Sequence, residues 1–288
     1  MGLFSDCLFG CDIDGTLLAN GVINPHNIEK IEYFISEGGH FSLSTGRTVG
    51  AVSPVLERIK NISPSVVANG CMIYDFQNKK VLDELFIAKA DYRVAKAVLD
   101  TGLPVGIEAH SGEEIFTINE TEETRLHQEY ERLKSRNVSF EEAAEYRWNK
   151  VVYLFDDLDV LERVKKLIST LGVGSAFSDT SAAIAGKKRN YYEQFPAGVS
   201  KAKALLKLAG LLNIKKGGIF AMGDYYNDLE MIKCADISAV PKDTPDDIKA
   251  FADYRACSCE DGAVADFIDY LTEIKSDTVS YTHLTLPT

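Results

Sequence analysis

The chain has 288 residues, 45% of them hydrophobic and 26% charged, and a formal net charge of −12. That length holds one large domain or two modest ones, and the composition supplies a packed core rather than a disordered chain. Acids are spread along it with no basic stripe, which excludes a nucleic-acid binder, and no apolar run reaches the length of a membrane span.

The first element is a buried strand, Leu8-Phe9-Gly10-Cys11, that runs into Asp12-Ile13-Asp14-Gly15-Thr16. Residues i and i+2 share a face only while the strand stays extended, and Gly15 lets the backbone turn just after the pair. Two carboxylates this close repel unless a cation, a proton or a hydrogen-bond network separates their roles. A helix follows, with Asn24 as its cap, Pro25 in its first turn, Ile28, Ile31, Phe34 and Ile35 at helical spacing, and Gly38-Gly39 as its stop. His40 to Ser44 is a second strand, leading into Thr45-Gly46-Arg47; a helix over Val49 to Lys60 and a third strand, Ser65 to Ala68, ending at Asn69-Gly70, complete the series. Strand alternating with helix at this pace predicts a parallel sheet with right-handed crossovers, whose ligand site lies at the carboxyl ends of the strands. Asp12, Asp14, Thr45 and Asn69 all fall at that edge.

The rhythm then changes. A hairpin over Met72–Phe86, a helix over Asp91–Asp100, strands over Val105–Glu108 and Glu114–Asn119, a charged helix over Thr121–Arg136, a strand over Lys150–Phe155, a helix over Leu158–Leu171 and a strand-like Ser175–Ala185 follow one another. An insertion of about a hundred residues far exceeds an ordinary sheet connection and predicts a second domain placed inside the first. Lys187-Lys188-Arg189 is read as a solvated loop. The parallel rhythm returns at Ser200, which can cap a helix carrying Lys201 in its first turn. A lysine there opposes the helix dipole unless an anion sits nearby. Gly218–Met222 is a strand ending at Gly223-Asp224-Tyr225-Tyr226-Asn227-Asp228; a helix over Leu229–Lys233, a strand over Ala235–Val240 and helices over Thr244–Ala252 and Gly262–Ile274 follow. From about Thr278 the composition loses helical and strand logic. The expected boundaries are 1–84 and 191–277 for the two parts of the first domain, 85–190 for the insertion, and 278–288 for a non-native or disordered tail.

Six cysteines (7, 11, 71, 234, 257 and 259) lack zinc-knuckle spacing, and the N-terminus has no basic region before its apolar run, so a reduced, cytoplasmic protein without a signal peptide is expected. Read alone, Asp-x-Asp-Gly is also compatible with a polar turn or with the metal-binding pair of a nucleotide-sugar transferase. A calcium loop is ruled out because Ile23 stands at the twelfth position from Asp12, where a glutamate belongs. The tyrosine pair Tyr225-Tyr226 and the aromatics Tyr146 and Trp148 are read first as packing residues.

Taken together, Asp12-Ile13-Asp14-Gly15-Thr16, Ser44-Thr45-Gly46-Arg47, Lys201 and Gly223-Asp224-Tyr225-Tyr226-Asn227-Asp228 resemble, in order, the four motifs of the haloacid dehalogenase-like (HAD) superfamily. The arrangement is similar to that of Cof-type phosphatases, and the likeness spans nearly all of residues 4–275. The resemblance implies an α/β fold: a Rossmann-like parallel-sheet core with an inserted α/β (type IIB) cap. It implies a phosphoric monoester hydrolase acting on a small phosphorylated metabolite, a sugar phosphate by expectation. Asp12 would be the nucleophile and Asp14 the general acid/base. Mg²⁺ would be held by the Asp12 and Asp224 side chains and the Asp14 carbonyl. Phosphate oxygens would be held by the Ile13 and Gly46 amides, the Thr45 hydroxyl, Lys201 and Asn227. Asp228 would support Lys201 or a metal-bound water. A hinge is expected near Leu82–Ala88 and Arg189–Phe195. Val240-Pro241-Lys242-Asp243-Thr244 departs from the Met-Gly-Asn-Ala-like turn common in such chains. A phosphomutase of related architecture, and a non-catalytic sugar-phosphate-binding protein, are the alternatives. No nucleic-acid or membrane partner is expected, and the chain would be a monomer or a small homo-oligomer.

Overall fold

A computed structural model describes residues 2–184 and 187–284. It divides into two compact units. The first comprises the chain up to Gly46, Pro54–Leu82 and the chain from Ser200 onward; the second comprises Arg47–Ser53 and Asp83–Val199.

The first unit is built on a five-stranded, wholly parallel sheet. Its order is Tyr254–Arg255, Ile237–Val240, Ile219–Met222, Leu8–Cys11, His40–Leu43. The strand Leu8–Cys11 has a neighbour on either side and is buried at every position, as an apolar run flanked on both sides must be. Phe9 meets Phe34, Phe41 and Phe267 in edge-to-face contacts with centroids 5.3–6.0 Å apart. On the opposite face Gly10 leaves room for Leu205: a Cβ there would lie 2.6 Å from the leucine Cδ1. The first helix, Pro25–Ser36, is started by Asn24, whose side chain accepts from the His26 amide at 2.9 Å.

The third strand differs from expectation. Ser65–Val67 joins the parallel sheet only through a bridge between Ser44 and Val66 and otherwise begins an antiparallel sheet with Met72–Asp75, which carries Lys80–Glu84 on its other side. The second helix is also shorter than expected, Val49–Leu56, with Pro54 inside it removing one backbone donor. The last helix is longer, Ala263–Leu284, so the segment expected to lose regular structure from Thr278 is helical to Leu284; residues 285–288 lie outside the described residues.

The second unit carries a six-stranded sheet in the order Arg136–Asn137, Glu114–Asn119, Gly106–Ser111, Lys150–Phe155, Lys187–Phe195, Ala176–Ile184. All its pairings are antiparallel except that of Arg136–Asn137 with Glu114–Asn119. The expected hinge at Arg189–Phe195, the boundary at 190/191 and the solvated loop at Lys187 all fall inside one nine-residue strand, which pairs along its length with Ala176–Ile184. Ala185, the end of the strand expected before it, lies outside the described residues. The charged helix ends at Glu131 rather than Arg136, because Arg132 turns left-handed at φ +55°. One sheet face, with Ile107, Ala109, Val151, Tyr153 and Phe155, packs on Val94, Val98, Leu161, Val164 and Ile168 of the helices Arg93–Asp100 and Leu158–Thr170.

Trp148 anchors this core. It is fully buried, stacks on Tyr92 with centroids 3.8 Å apart, and donates its indole N–H to the Ala143 carbonyl at 2.8 Å. Trp148→Ala removes the stack and leaves a cavity the surrounding strands cannot fill. The unfolding transition of this unit, followed by denaturant titration, is expected to lose about 3–5 kcal/mol.

Candidate active site

All the residues predicted to act in catalysis, phosphate binding or metal binding lie in the first unit. The sheet explains why they meet. The Asp12 amide donates to the Met222 carbonyl at 2.9 Å and the Ser44 amide to the Cys11 carbonyl at 2.8 Å, so three adjacent strands end in register. The first, second and fourth motifs therefore leave the sheet at one edge.

Lys201 comes to that edge from the first position of the helix Lys201–Leu211, which Ser200 caps by accepting from the Lys203 amide at 3.3 Å. Its Nζ donates to Asp12 Oδ1 and to Asp228 Oδ1, each at 2.7 Å. Lys201 and Asp228 are fully buried and Asp12 nearly so. Burial opposes the ammonium charge, but Asp12 and Asp228 outweigh it and hold Lys201 protonated, above the usual lysine range. Asp228 also closes the fourth-motif turn: its Oδ2 accepts from the Asp224 and Tyr225 amides at 3.2 and 3.3 Å.

Asp224 stands beside this pair. One carboxylate oxygen from each of Asp12, Asp224 and Asp228 lies within 4.8 Å of the others. Burial first, then the Asp228 charge, push the Asp224 carboxyl up to about 6, although a hydrogen bond from Thr16 Oγ1 at 3.1 Å works against the shift. Burial and Asp228 likewise raise Asp12, with Lys201 pulling the other way. One lysine thus faces three carboxylates, and the excess negative charge calls for a proton or a cation. The donor set is all oxygen and carboxylate-rich, which suits a hard divalent ion such as Mg²⁺.

Asp14 is different: its side chain is exposed and is not one of the clustered carboxylates. Gly15, at φ +84°, turns the chain just after Asp14 and takes the Asp224 carboxylate against its Cα; a Cβ would lie 2.4 Å from Asp224 Oδ2. Ile13 and Thr45 are buried, and Gly46 lies beside Asn69. Asn227 is exposed and donates from Nδ2 to Asn69 Oδ1 at 3.3 Å. Thr16 stands in the sequence only as the last residue of the first motif, and its hold on Asp224 is not readable there; Asn69, which the sequence does place at this edge, gains Asn227 as its partner. The tyrosine pair read as packing is open to solvent, with Tyr225 56% and Tyr226 53% exposed. In the divergent loop after Val240, Lys242 N–H donates to the Cys257 carbonyl at 3.1 Å and Thr244 N–H to the Pro241 carbonyl at 3.2 Å.

Lys201→Met leaves these carboxylates without their ammonium. It is expected to cost about 3–5 kcal/mol in denaturant unfolding, as for a broken buried ion pair. Lys203→Met, on the exposed side of the same turn, is expected to stay within about 0.5 kcal/mol of the parent.

Residues 9–268 match the family profile described as haloacid dehalogenase-like hydrolase. Among curated proteins, the chain is 26% identical to the 5-amino-6-(5-phospho-D-ribitylamino)uracil phosphatase YwtE of Bacillus subtilis, over 90% of this chain and 96% of that one. It is 25% identical to a putative phosphatase of Metamycoplasma hominis, over 91% and 95% of the two chains. Among solved structures, a Thermotoga maritima protein, TM0651, superposes with a TM-score of 0.77 at 21% identity, covering 92% of this chain and 97% of that one. The HAD subclass IIB sugar phosphatase BT4131 does so with a TM-score of 0.74 at 19% identity, covering 92% and 98%. These structural likenesses are of fold: a parallel-sheet HAD core with a cap domain. Four motifs gathered at one sheet edge, in a chain matched along nine-tenths of its length, place it: the chain belongs to the haloacid dehalogenase-like hydrolase family.

Proposed function

We propose that this phosphatase hydrolyses small phosphomonoesters, sugar phosphates in particular, through a phosphoryl group carried on Asp12, with Mg²⁺ as its cofactor. The observation that carries the reading is the single buried Lys201 set between Asp12 and Asp228, with Asp224 completing a carboxylate cluster at the strand ends.

Phosphoryl transfer needs an in-line nucleophile, neutralised phosphate oxygens and a proton for the leaving oxygen. An ionised Asp12 Oδ attacks phosphorus, and the bond to the ester oxygen breaks as Asp14 delivers a proton to it. Asp14, now a carboxylate, takes a proton from water; that water cleaves the aspartyl phosphate, freeing inorganic phosphate and regenerating Asp12. The exposure of Asp14 supports this role, because an acid/base group must exchange protons with substrate and water in turn. Lys201, the Thr45 hydroxyl, the Ile13 and Gly46 amides and Asn227 are assigned to the phosphate oxygens. Asp12, Asp224 and the Asp14 carbonyl would hold the Mg²⁺, with Asp228 keeping Lys201 in place. When bound, the ion supplies positive charge that favours ionised Asp12 and offsets repulsion between nucleophile and phosphate.

The sugar-phosphate assignment draws on the relatives. Three Bacillus subtilis proteins, 23–26% identical to this chain, are named as phosphatases of 5-amino-6-(5-phospho-D-ribitylamino)uracil, whose phosphate rides on a ribityl chain. We place the enzyme in the cytoplasm, where its six thiols would stay reduced. Among the described residues no helix is long and apolar enough to cross a membrane.

Release of inorganic phosphate, screened over phosphorylated metabolites, tests the reading. Activity is expected to vanish with chelator and return with Mg²⁺, and Asp12→Asn is expected to lose roughly a thousandfold or more. Metal-independent turnover, or full activity in Asp12→Asn, would defeat the mechanism. An isomerised sugar phosphate without free phosphate would indicate a mutase instead.

A further inference from the structure

The turn Ala68–Gly70, which follows the strand Ser65–Val67, has an unusual backbone. Ala68 at φ +50° and Asn69 at φ +56° are both left-handed, and Gly70 follows at φ +98°. Two successive Cβ-bearing residues in this region are disfavoured and persist only where their surroundings over-determine them.

Those surroundings are the three motifs that converge with Asp12. The Asn69 amide donates to the Thr45 carbonyl at 2.9 Å, and the Thr45 amide donates to the Val66 carbonyl at 3.0 Å, so the turn and the second motif brace each other. Gly70 lies on the third motif: a Cβ there would sit 2.4 Å from the Ser200 carbonyl oxygen and 3.1 Å from the Lys201 nitrogen. The Asn69 side chain accepts from Asn227 Nδ2 of the fourth motif, and its Oδ1 would lie 3.0 Å from a Cβ built on Gly46. One short turn therefore touches the segments carrying Thr45, Gly46, Lys201 and Asn227.

We propose that Asn69 is a positioning residue for the reaction, fixing the Asn227 amide and the Thr45–Gly46 loop; this rests on the reading of the site as a phosphoryl-transfer centre. Asn227 is exposed, and an untethered amide there would rotate freely. Spending one of its N–H donors on Asn69 fixes the amide plane and so the direction of the other donor before substrate arrives. Preorganised donors of this kind are worth more than mobile ones because no reorganisation is left for the reaction itself. The residue type fits both demands. Asparagine tolerates the left-handed backbone and supplies an amide acceptor; glycine supplies only the first, alanine neither.

Asn69→Gly keeps the backbone conformation and removes only the side chain, so it separates positioning from folding. With ribitol phosphate as substrate, kcat is expected to fall about 10–100-fold while the melting temperature holds. Asn227→Ala is expected to fall similarly, and the double variant no further than the worse single one, because the two act as one unit. Asn69→Asp keeps the acceptor but adds a negative charge near the phosphate; it is expected to recover most of kcat while raising KM. Unchanged kcat in Asn69→Gly, or losses that multiply in the double variant, would overturn the proposal. Binding of inorganic phosphate, measured by calorimetry in parallel, keeps the two readings apart. If the parent released no phosphate from any ester, the phosphatase reading would fall, while weaker phosphate binding by Asn69→Gly would still uphold the positioning role and equal binding would refute it.

Discussion

Lys201 Nζ lies 2.7 Å from a carboxylate of the first motif and 2.7 Å from one of the fourth, with almost no access to water. A buried ammonium in this setting cannot be lost cheaply, and neither can its partners: each would strand a charge in a low-dielectric interior. The arrangement is still not neutral, since Asp224 adds a third carboxylate within reach of the other two. An interior designed for stability alone would replace such a group with apolar side chains. Its retention at the open edge of a parallel sheet is the kind of local conflict that marks a functional site.

What brings these groups together is strand order. Leu8–Cys11 lies between His40–Leu43 and Ile219–Met222, so residues some 200 positions apart in the chain leave the sheet side by side. This convergence was legible in the sequence, because each participating strand is a short apolar run ended by a polar motif, and the crossover rule leaves few ways to order them. The Asn24 cap, the Ser200 cap and the strand Lys150–Phe155 were legible for similarly local reasons: a capping side chain, or an apolar run of strand length.

Other features depend on partners that local sequence does not name. Lys187-Lys188-Arg189 reads as a solvated loop and Arg189–Phe195 as a hinge, yet Lys187–Phe195 forms one strand because Lys150–Phe155 and Ala176–Ile184 supply a ladder on either side. Ser65–Val67 looks like one more parallel strand; it keeps only the bridge from Val66 to Ser44 on that side and pairs along its length with Met72–Asp75, because the Ala68–Gly70 turn reverses the chain within a few residues. The tyrosines at 225 and 226 look like packing residues by type. They are solvent-facing because the turn they occupy is held from inside by Asp228, leaving Tyr226 to find its hydroxyl partner on the exposed Asp247 at 3.0 Å.

The unequal fates of Asp12 and Asp14 show how far sequence spacing alone can go. Two acids separated by one residue look interchangeable, and an extended strand would point both to the same face. The strand ends at Cys11, so the two acids no longer share an extended face: Asp12 goes inward to Lys201 while Asp14 remains exposed, and Gly15 turns the chain just after them. Burial then acts on the first and water on the second. A nucleophile gains from being fixed, desolvated and paired with a cation; an acid/base group gains from access to both leaving group and water. The proposed division of labour between the two carboxylates rests on this difference in burial, next to a glycine set so close to Asp224 that a Cβ there would meet its carboxylate at 2.4 Å.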